Sequence, residues 1–144
     1  MKSQTIIYLV RHGEVDNPQQ IIYGRELDFP LTPAGRLQMR KLAEKLKNQG
    51  IQPQVIYTSP LLRTIQTAQE MANVFKKIPI IKKEALLESD SKGLTGNPLS
   101  WTRERDVYHW PGKDYWIESP ETMTQRMTTV INKIREKILS GSAY

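Results

Sequence analysis

An arginine, a histidine, a glycine and a glutamate stand together at Arg11-His12-Gly13-Glu14, directly behind the apolar run Ile6-Ile7-Tyr8-Leu9-Val10. An imidazole can attack phosphorus, and a guanidinium grips phosphate oxygens through its planar fork. The pairing suggests phosphoryl transfer through a phosphohistidine at His12. Taken alone, such a tripeptide is more often an ordinary turn, so the rest of the chain has to decide. To attack, His12 must be neutral, with one ring nitrogen held as a donor; a backbone carbonyl is the expected partner. Gly13 fits a chain that turns sharply under a phosphate and tolerates little side-chain bulk.

The elements that would position these groups alternate. Ile6 to Val10 reads as a buried central strand, and in open α/β sheets ligands gather beyond the carboxyl ends of strands. Thr32 looks like an N-cap with Pro33 at the first helical position, and Met39, Leu42, Ala43 and Leu46 keep helical spacing until Gly50. Gln54 to Thr58 reads as a second strand. Ser59-Pro60 repeats the cap-then-proline device, with Leu62, Ile65, Ala68, Ala72 and Phe75 as the buried stripe of the next helix. Ile78 to Ile81 reads as a third strand. Ser119-Pro120-Glu121 opens a last helix whose inward face is Met123, Met127, Val130, Ile134 and Ile138.

The alternation predicts an α/β three-layer sandwich, a mostly parallel central sheet with helices on both faces. Residues 89–116 break it and hold Trp101, Trp110 and Trp116. A stretch of that length inside a compact domain is usually functional, and here it is expected to form a cap over the site, with a short helix near Leu99 to Asp106.

Arg11-His12-Gly13-Glu14 resembles the signature of the histidine phosphatase superfamily, the phosphoglycerate-mutase-like proteins. The resemblance continues through Tyr23-Gly24-Arg25 and Pro30-Leu31-Thr32-Pro33-Ala34-Gly35, then through Tyr57-Thr58-Ser59-Pro60-Leu61-Leu62-Arg63-Thr64-Ile65-Gln66-Thr67-Ala68. It is weaker at Leu87-Glu88 and Glu118-Ser119-Pro120-Glu121-Thr122. Its segments follow the family's order over nearly the whole chain.

That resemblance implies roles. Arg11 and Arg63 would clamp the phosphoryl group; without it, Arg63 would read as a surface helix arginine. Asn17 and Gly24 would add donors, although the family's asparagine falls one residue later, where Pro18 stands, so Asn17 either shares the role or caps a turn. Tyr23 departs from the smaller or polar residue common there. Arg25 either reaches substrate or pairs with Glu26 or Asp28. Glu88 is the preferred general acid, a partly buried carboxyl able to protonate a leaving alkoxide; Glu14 is the competitor.

The family also uses a second histidine on a strand-end turn after the last long helix. The only other histidine is His109, in an aromatic loop before that helix, and it does not fit. The chain therefore reads as one domain over 1–144, incomplete at its C-terminus, with residues 89–116 as the cap. The implied activity is phosphomonoester hydrolysis on a small phosphorylated metabolite. A mutase, or a catalytically impaired phosphate-binding protein, is the alternative. The identity of the phosphomonoester stays open.

Composition narrows the partners. The 144 residues carry 38% hydrophobic and 25% charged side chains, an ordinary globular mix. Zero cysteines exclude disulfides and thiolate zinc sites, and scattered histidines argue against a transition-metal site; no cofactor is expected. The apolar N-terminal run is too short for a membrane span, which leaves a cytoplasmic location as the default. A net charge of +6 comes from residues spread along the chain, such as Arg36, Arg40, Lys41, Lys45 and Lys47 on one helix, a solvated face rather than a nucleic-acid groove. An incomplete sheet would leave an exposed edge open to pairing with another chain, so self-association is an expectation.

Overall fold

The computed structural model describes residues 5–104 and 118–140. Thr32 caps helix α1 (Pro33–Asn48) through its side-chain oxygen, which accepts from Gly35 N, with Pro33 in the first turn as the sequence predicts. Helix α4 (Pro120–Leu139) starts the same way, Ser119 accepting from Thr122 N. Between them run strand β1 (Ile56–Thr58), helix α2 (Leu62–Val74), strand β2 (Ile80–Lys82), 3₁₀ turns at Glu84–Leu86 and Lys92–Leu94, and a short helix α3 (Trp101–Glu104). Strands β1 and β2 pair in parallel with Ile56 opposite Ile80. Helix α2 crosses between them and packs on both, as a βαβ unit requires. The protein is α/β with a parallel sheet.

Two expectations need correction. Ile6 to Val10 is not a buried central strand. Residues 5–14 carry no strand pairing, and Ile6 and Leu9 are 66% and 79% exposed. An apolar run is buried as a strand only when a ladder exists to receive it. Among the described residues the sheet has two strands, and the N-terminal segment faces β1 across a cavity of about 1240 Å³. Met71 and Ala68 of α2 and Ile131 and Ile134 of α4 help to line that cavity, so the gap is apolar. Helix α2, in turn, does not start on Ser59-Pro60. Leu61 is its N-cap and gives no side-chain hydrogen bond, while Ser59 Oγ bonds Thr64 Oγ1 instead at 2.7 Å.

The core sits between α1 and α2. Leu31, Met39, Ala43 and Met71 form it, flanked by Val15, Leu42, Leu46, Ile56, Val74 and Phe75. A second cluster, Ile22 and Leu94 with Leu99 and Trp101, docks residues 91–101 on the loop at 20–24. Backbone bonds from Ile22 N to Asn97 O and from Gly96 N to Ile22 O, both 2.8 Å, fix that docking. The first part of the expected cap is thus an ordered loop against Gly24. Its short helix is seen at Trp101–Glu104; the remainder, with His109, Trp110 and Trp116, lies outside the described residues.

Candidate active site

The Arg-His-Gly turn is held from two sides by close backbone contacts. Gly13 N donates to Thr67 Oγ1 of α2 at 3.2 Å, and Thr67 Oγ1 itself donates to Arg63 O at 2.8 Å. On the other side the turn presses on the start of α1. A Cβ on Gly13 would meet Gly35 O at 2.6 Å, and one on Gly35 would collide with Glu14 O. The glycine at position 13 is therefore needed for the approach of helix α1. That is a different reason from clearance under a phosphate.

His12 is half-buried, and its Nδ1 lies 2.8 Å from Gly13 O. A carbonyl can only accept, so Nδ1 carries the proton and Nε2 keeps its lone pair. Burial, aided by the cations Arg63 and Arg11, holds the imidazole below its ordinary pKa of 6.5, against the opposing pull of Gly13 O and Glu88. Neutral His12 is the form a nucleophile needs. The lowered value means the unfolded chain binds more protons as pH falls through 6.5, so this group favours the fold less toward acid. The His12 ring protons, followed by NMR, are expected to titrate below pH 6.5, and Arg11→Gln should move the midpoint up. A midpoint above 6.5 would contradict the site's electrostatics.

Arg63 is 1% exposed and sits in the first turn of α2. Its guanidinium donates to Gly24 O at 2.7 Å and Glu26 O at 3.3 Å, and lies 4.7 Å over the Tyr23 ring. Tyr23 in turn stacks on Phe29 at 4.8 Å. The residue at 23 that departs from the family's usual type is thus the platform that orients Arg63. Among the described residues Arg63 makes no ion pair, and its Nε is buried without a hydrogen-bond partner. A buried fork bonded only to neutral carbonyls is an arrangement suited to an anion.

Gly24 is buried at φ +42°, with the Ser91 and Thr95 hydroxyls close to where a Cβ would be. It offers Arg63 its carbonyl. Asn17 does not turn toward the site: its amide donates to Ile21 O at 2.8 Å and accepts from Ile21 N at 3.2 Å, the turn-capping alternative. Arg11 is exposed and close enough to act on His12.

Glu88 and Glu14 point to different places. Glu14 Oε1 accepts from Thr32 Oγ1 at 2.8 Å at the start of α1. The Glu88 carboxylate pulls the pKa of both His12 and Arg63 upward, in each case more weakly than burial pushes it down. Its side chain is exposed rather than partly buried, and is tethered by Ser89 N at 2.9 Å. Arg25 pairs with neither Glu26 nor Asp28; its ion-pair partners are Glu118 at 2.9 Å and Asp90 at 3.5 Å.

Several residues that organise the site escaped the sequence reading. Thr67 and Gln66 (which accepts from Leu31 N at 2.7 Å) are buried on the same face of α2 as Arg63 and Glu70. Their spacing of three, four and seven residues was the available signal. Glu70, held below the usual carboxylate range mainly by its bond to Arg40, also binds Arg36. Two members of the basic face assigned to solvent therefore pin α1 to α2. Among the described residues no helix is long and apolar enough to cross a membrane.

The family model of the histidine phosphatase superfamily (branch 1) matches residues 7–141. The chain belongs to this superfamily. The uncharacterised phosphatase PhoE of Bacillus subtilis is 34% identical over 134 residues, 92% of this chain and 65% of its own length. A 2,3-bisphosphoglycerate-dependent phosphoglycerate mutase of Corynebacterium diphtheriae is 32% identical over 101 residues, 69% of this chain and 41% of its own. Among solved structures, Bacillus stearothermophilus YhfR superposes with a TM-score of 0.69 at 25% identity, covering 88% of this chain and 65% of YhfR. The chain thus spans just under two thirds of the length of PhoE and of YhfR. The family likeness extends through the Arg-His-Gly turn and the Arg63 helix.

Proposed function

We propose that the site hydrolyses phosphomonoesters of small metabolites through a phosphohistidine. His12 Nε2 attacks phosphorus as the ester P–O bond breaks, and Glu88 gives its proton to the leaving alkoxide. Water then attacks the phosphorus, the P–N bond breaks, and inorganic phosphate departs as Glu88 takes up a proton. Arg63 and Arg11 neutralise the charge on the transferred oxygens, the main demand of phosphoryl transfer. The observation that carries this reading is Arg63: a buried cation with no ion pair among the described residues, acting on an imidazole whose pKa is held down. A phosphatase is preferred to a mutase because PhoE aligns over 92% of the chain and the mutase over 69%. We read residues 1–144 as one unit in which 89–116 cover the site; the docking of 91–101 beside Gly24 supports this. No cofactor is invoked, and a cytoplasmic location goes with this reading as its default.

Phosphate binding with little turnover is the second reading. The cavity beside His12 favours it, since an open gap admits water where phosphoryl transfer needs exclusion. The same gap, apolar and bordered by an edge of β1 that has no strand partner among the described residues, supports self-association.

Brief reaction with a radiolabelled alkyl phosphate, followed by quenching, separates these outcomes. An acid-labile, alkali-stable label on the chain, absent in His12→Gln, is expected of a phosphohistidine. Saturable binding of inorganic phosphate with no label would put the second reading ahead.

A further inference from the structure

The backbone behind Glu88 is gripped by two arginines that share one acid. Arg126 of α4 donates from Nη1 to Ala85 O at 2.5 Å and Leu87 O at 3.0 Å. Arg25 donates from Nε to Glu88 O at 2.7 Å. These guanidiniums reach the segment from two different elements, one from α4 and one from the loop that carries Gly24. Both are tied by Glu118, the residue before the α4 N-cap. Arg126 meets it in a fork, Nε to Oε1 at 2.6 Å and Nη2 to Oε2 at 2.9 Å, and Arg25 Nη2 reaches Oε2 at 2.9 Å. Asp90 N adds a bond to the same oxygen at 3.3 Å, and the Asp90 carboxylate pairs with Arg25 at 3.5 Å. The Glu118 side chain is only 9% exposed.

A buried carboxylate serving two cations is costly to desolvate, and apolar packing would stabilise the fold as well. What this arrangement adds is geometric. It fixes three carbonyls of one short segment, at 85, 87 and 88, whose last residue carries the proposed acid. The Glu88 side chain has no long-range partner among the described hydrogen bonds, only Ser89. Its reach toward His12 is therefore set by where its backbone is held.

We propose that Glu118 is a positioning residue that acts through Arg25 and Arg126 to hold Glu88 at His12. This rests on the reading of Glu88 as the acid. Glu118 does not touch the reacting groups. Among the described residues the charges that act on His12 are Arg63, Arg11 and Glu88.

That separation supplies the test. Because Glu88 raises the His12 pKa, displacement of its carboxylate away from His12 lowers the midpoint of the His12 ring-proton titration. The full chain would be compared with Glu88→Gln, Glu118→Gln and the double variant, by NMR in the absence of substrate, with fold checked by circular dichroism. Expected are a downward shift in Glu88→Gln, a shift of the same direction and size in Glu118→Gln, and no further shift in the double variant. Should Glu118→Gln fail to fold, Arg25→Lys takes its place. It keeps the Glu118–Arg126 fork but loses the Nε bond to Glu88 O, and is expected to shift the midpoint down. A His12 midpoint unmoved in the folded variant, while Glu88→Gln moves it, overturns the positioning role and leaves the Glu88 assignment standing. A midpoint unmoved in Glu88→Gln itself overturns the assignment and the proposal with it.

Discussion

Gly35→Ala is expected to destabilise the protein by about 3 kcal/mol or more, although alanine in a helix normally gains roughly 1 kcal/mol over glycine. The sign reverses because of what the added carbon meets. It would collide with Glu14 O and stand 2.7 Å from Glu14 N, both backbone atoms of the turn that follows His12. No side chain can swing aside, so either α1 retreats or the turn deforms. Retreat of α1 would separate Met39 and Ala43 from Met71 and open the core. Deformation would move the Gly13 carbonyl that fixes the His12 tautomer. Thermal melting should show a drop on the order of 10 °C for a domain of this size. Gly50→Ala is the control: it has open space around it but φ +79°, and should cost only about 1–2 kcal/mol. Equal melting points for the two variants would show that the contact at Gly35 yields easily.

Arg63→Ala should reduce the affinity for inorganic phosphate, and any turnover, by about 10²- to 10³-fold. Two losses add in this variant. The anion loses a fork presented from a water-poor position, and Gly24 O and Glu26 O lose their donors, loosening the loop that carries Arg25. Arg63→Lys should not restore binding, because an ammonium cannot lie over Tyr23 and reach both carbonyls in one plane. Calorimetric titration of phosphate into the full chain, with melting curves alongside, distinguishes the two losses. Unchanged phosphate affinity in a folded Arg63→Ala chain would remove Arg63 from the site.

Short-range signals in the sequence were read correctly where the physics is short-range. Thr32-Pro33 and Ser119-Pro120 start their helices because a side-chain oxygen and a fixed φ suffice to do so. His12 finds the expected backbone carbonyl within its own turn. Elsewhere the outcome depends on distant partners. Ile6 to Val10 has every local mark of a strand and lacks a ladder to join. Ser59 resembles a cap, but Thr64 captures its hydroxyl. Arg63, Gln66, Thr67 and Glu70 look like a polar outer face, and each is buried because Gly24, Leu31, Gly13 and the α1 arginines bond to them. Arg126 reaches the carbonyls of Ala85 and Leu87 from some forty positions away, which no periodicity encodes.

The polar face of α2 has a consequence for the order in which the protein assembles. An apolar helix face can collapse against its neighbour loosely and sharpen later. A face of buried arginine, glutamine, threonine and glutamate is costly to dehydrate until each bond is made. Docking of α1 on α2 and closure of the Arg-His-Gly turn must therefore occur in one cooperative step. In native-state hydrogen exchange the amides of Gly13 and Leu31, which donate to Thr67 and Gln66, should open together with the amides of the two helices, as a single exchange unit.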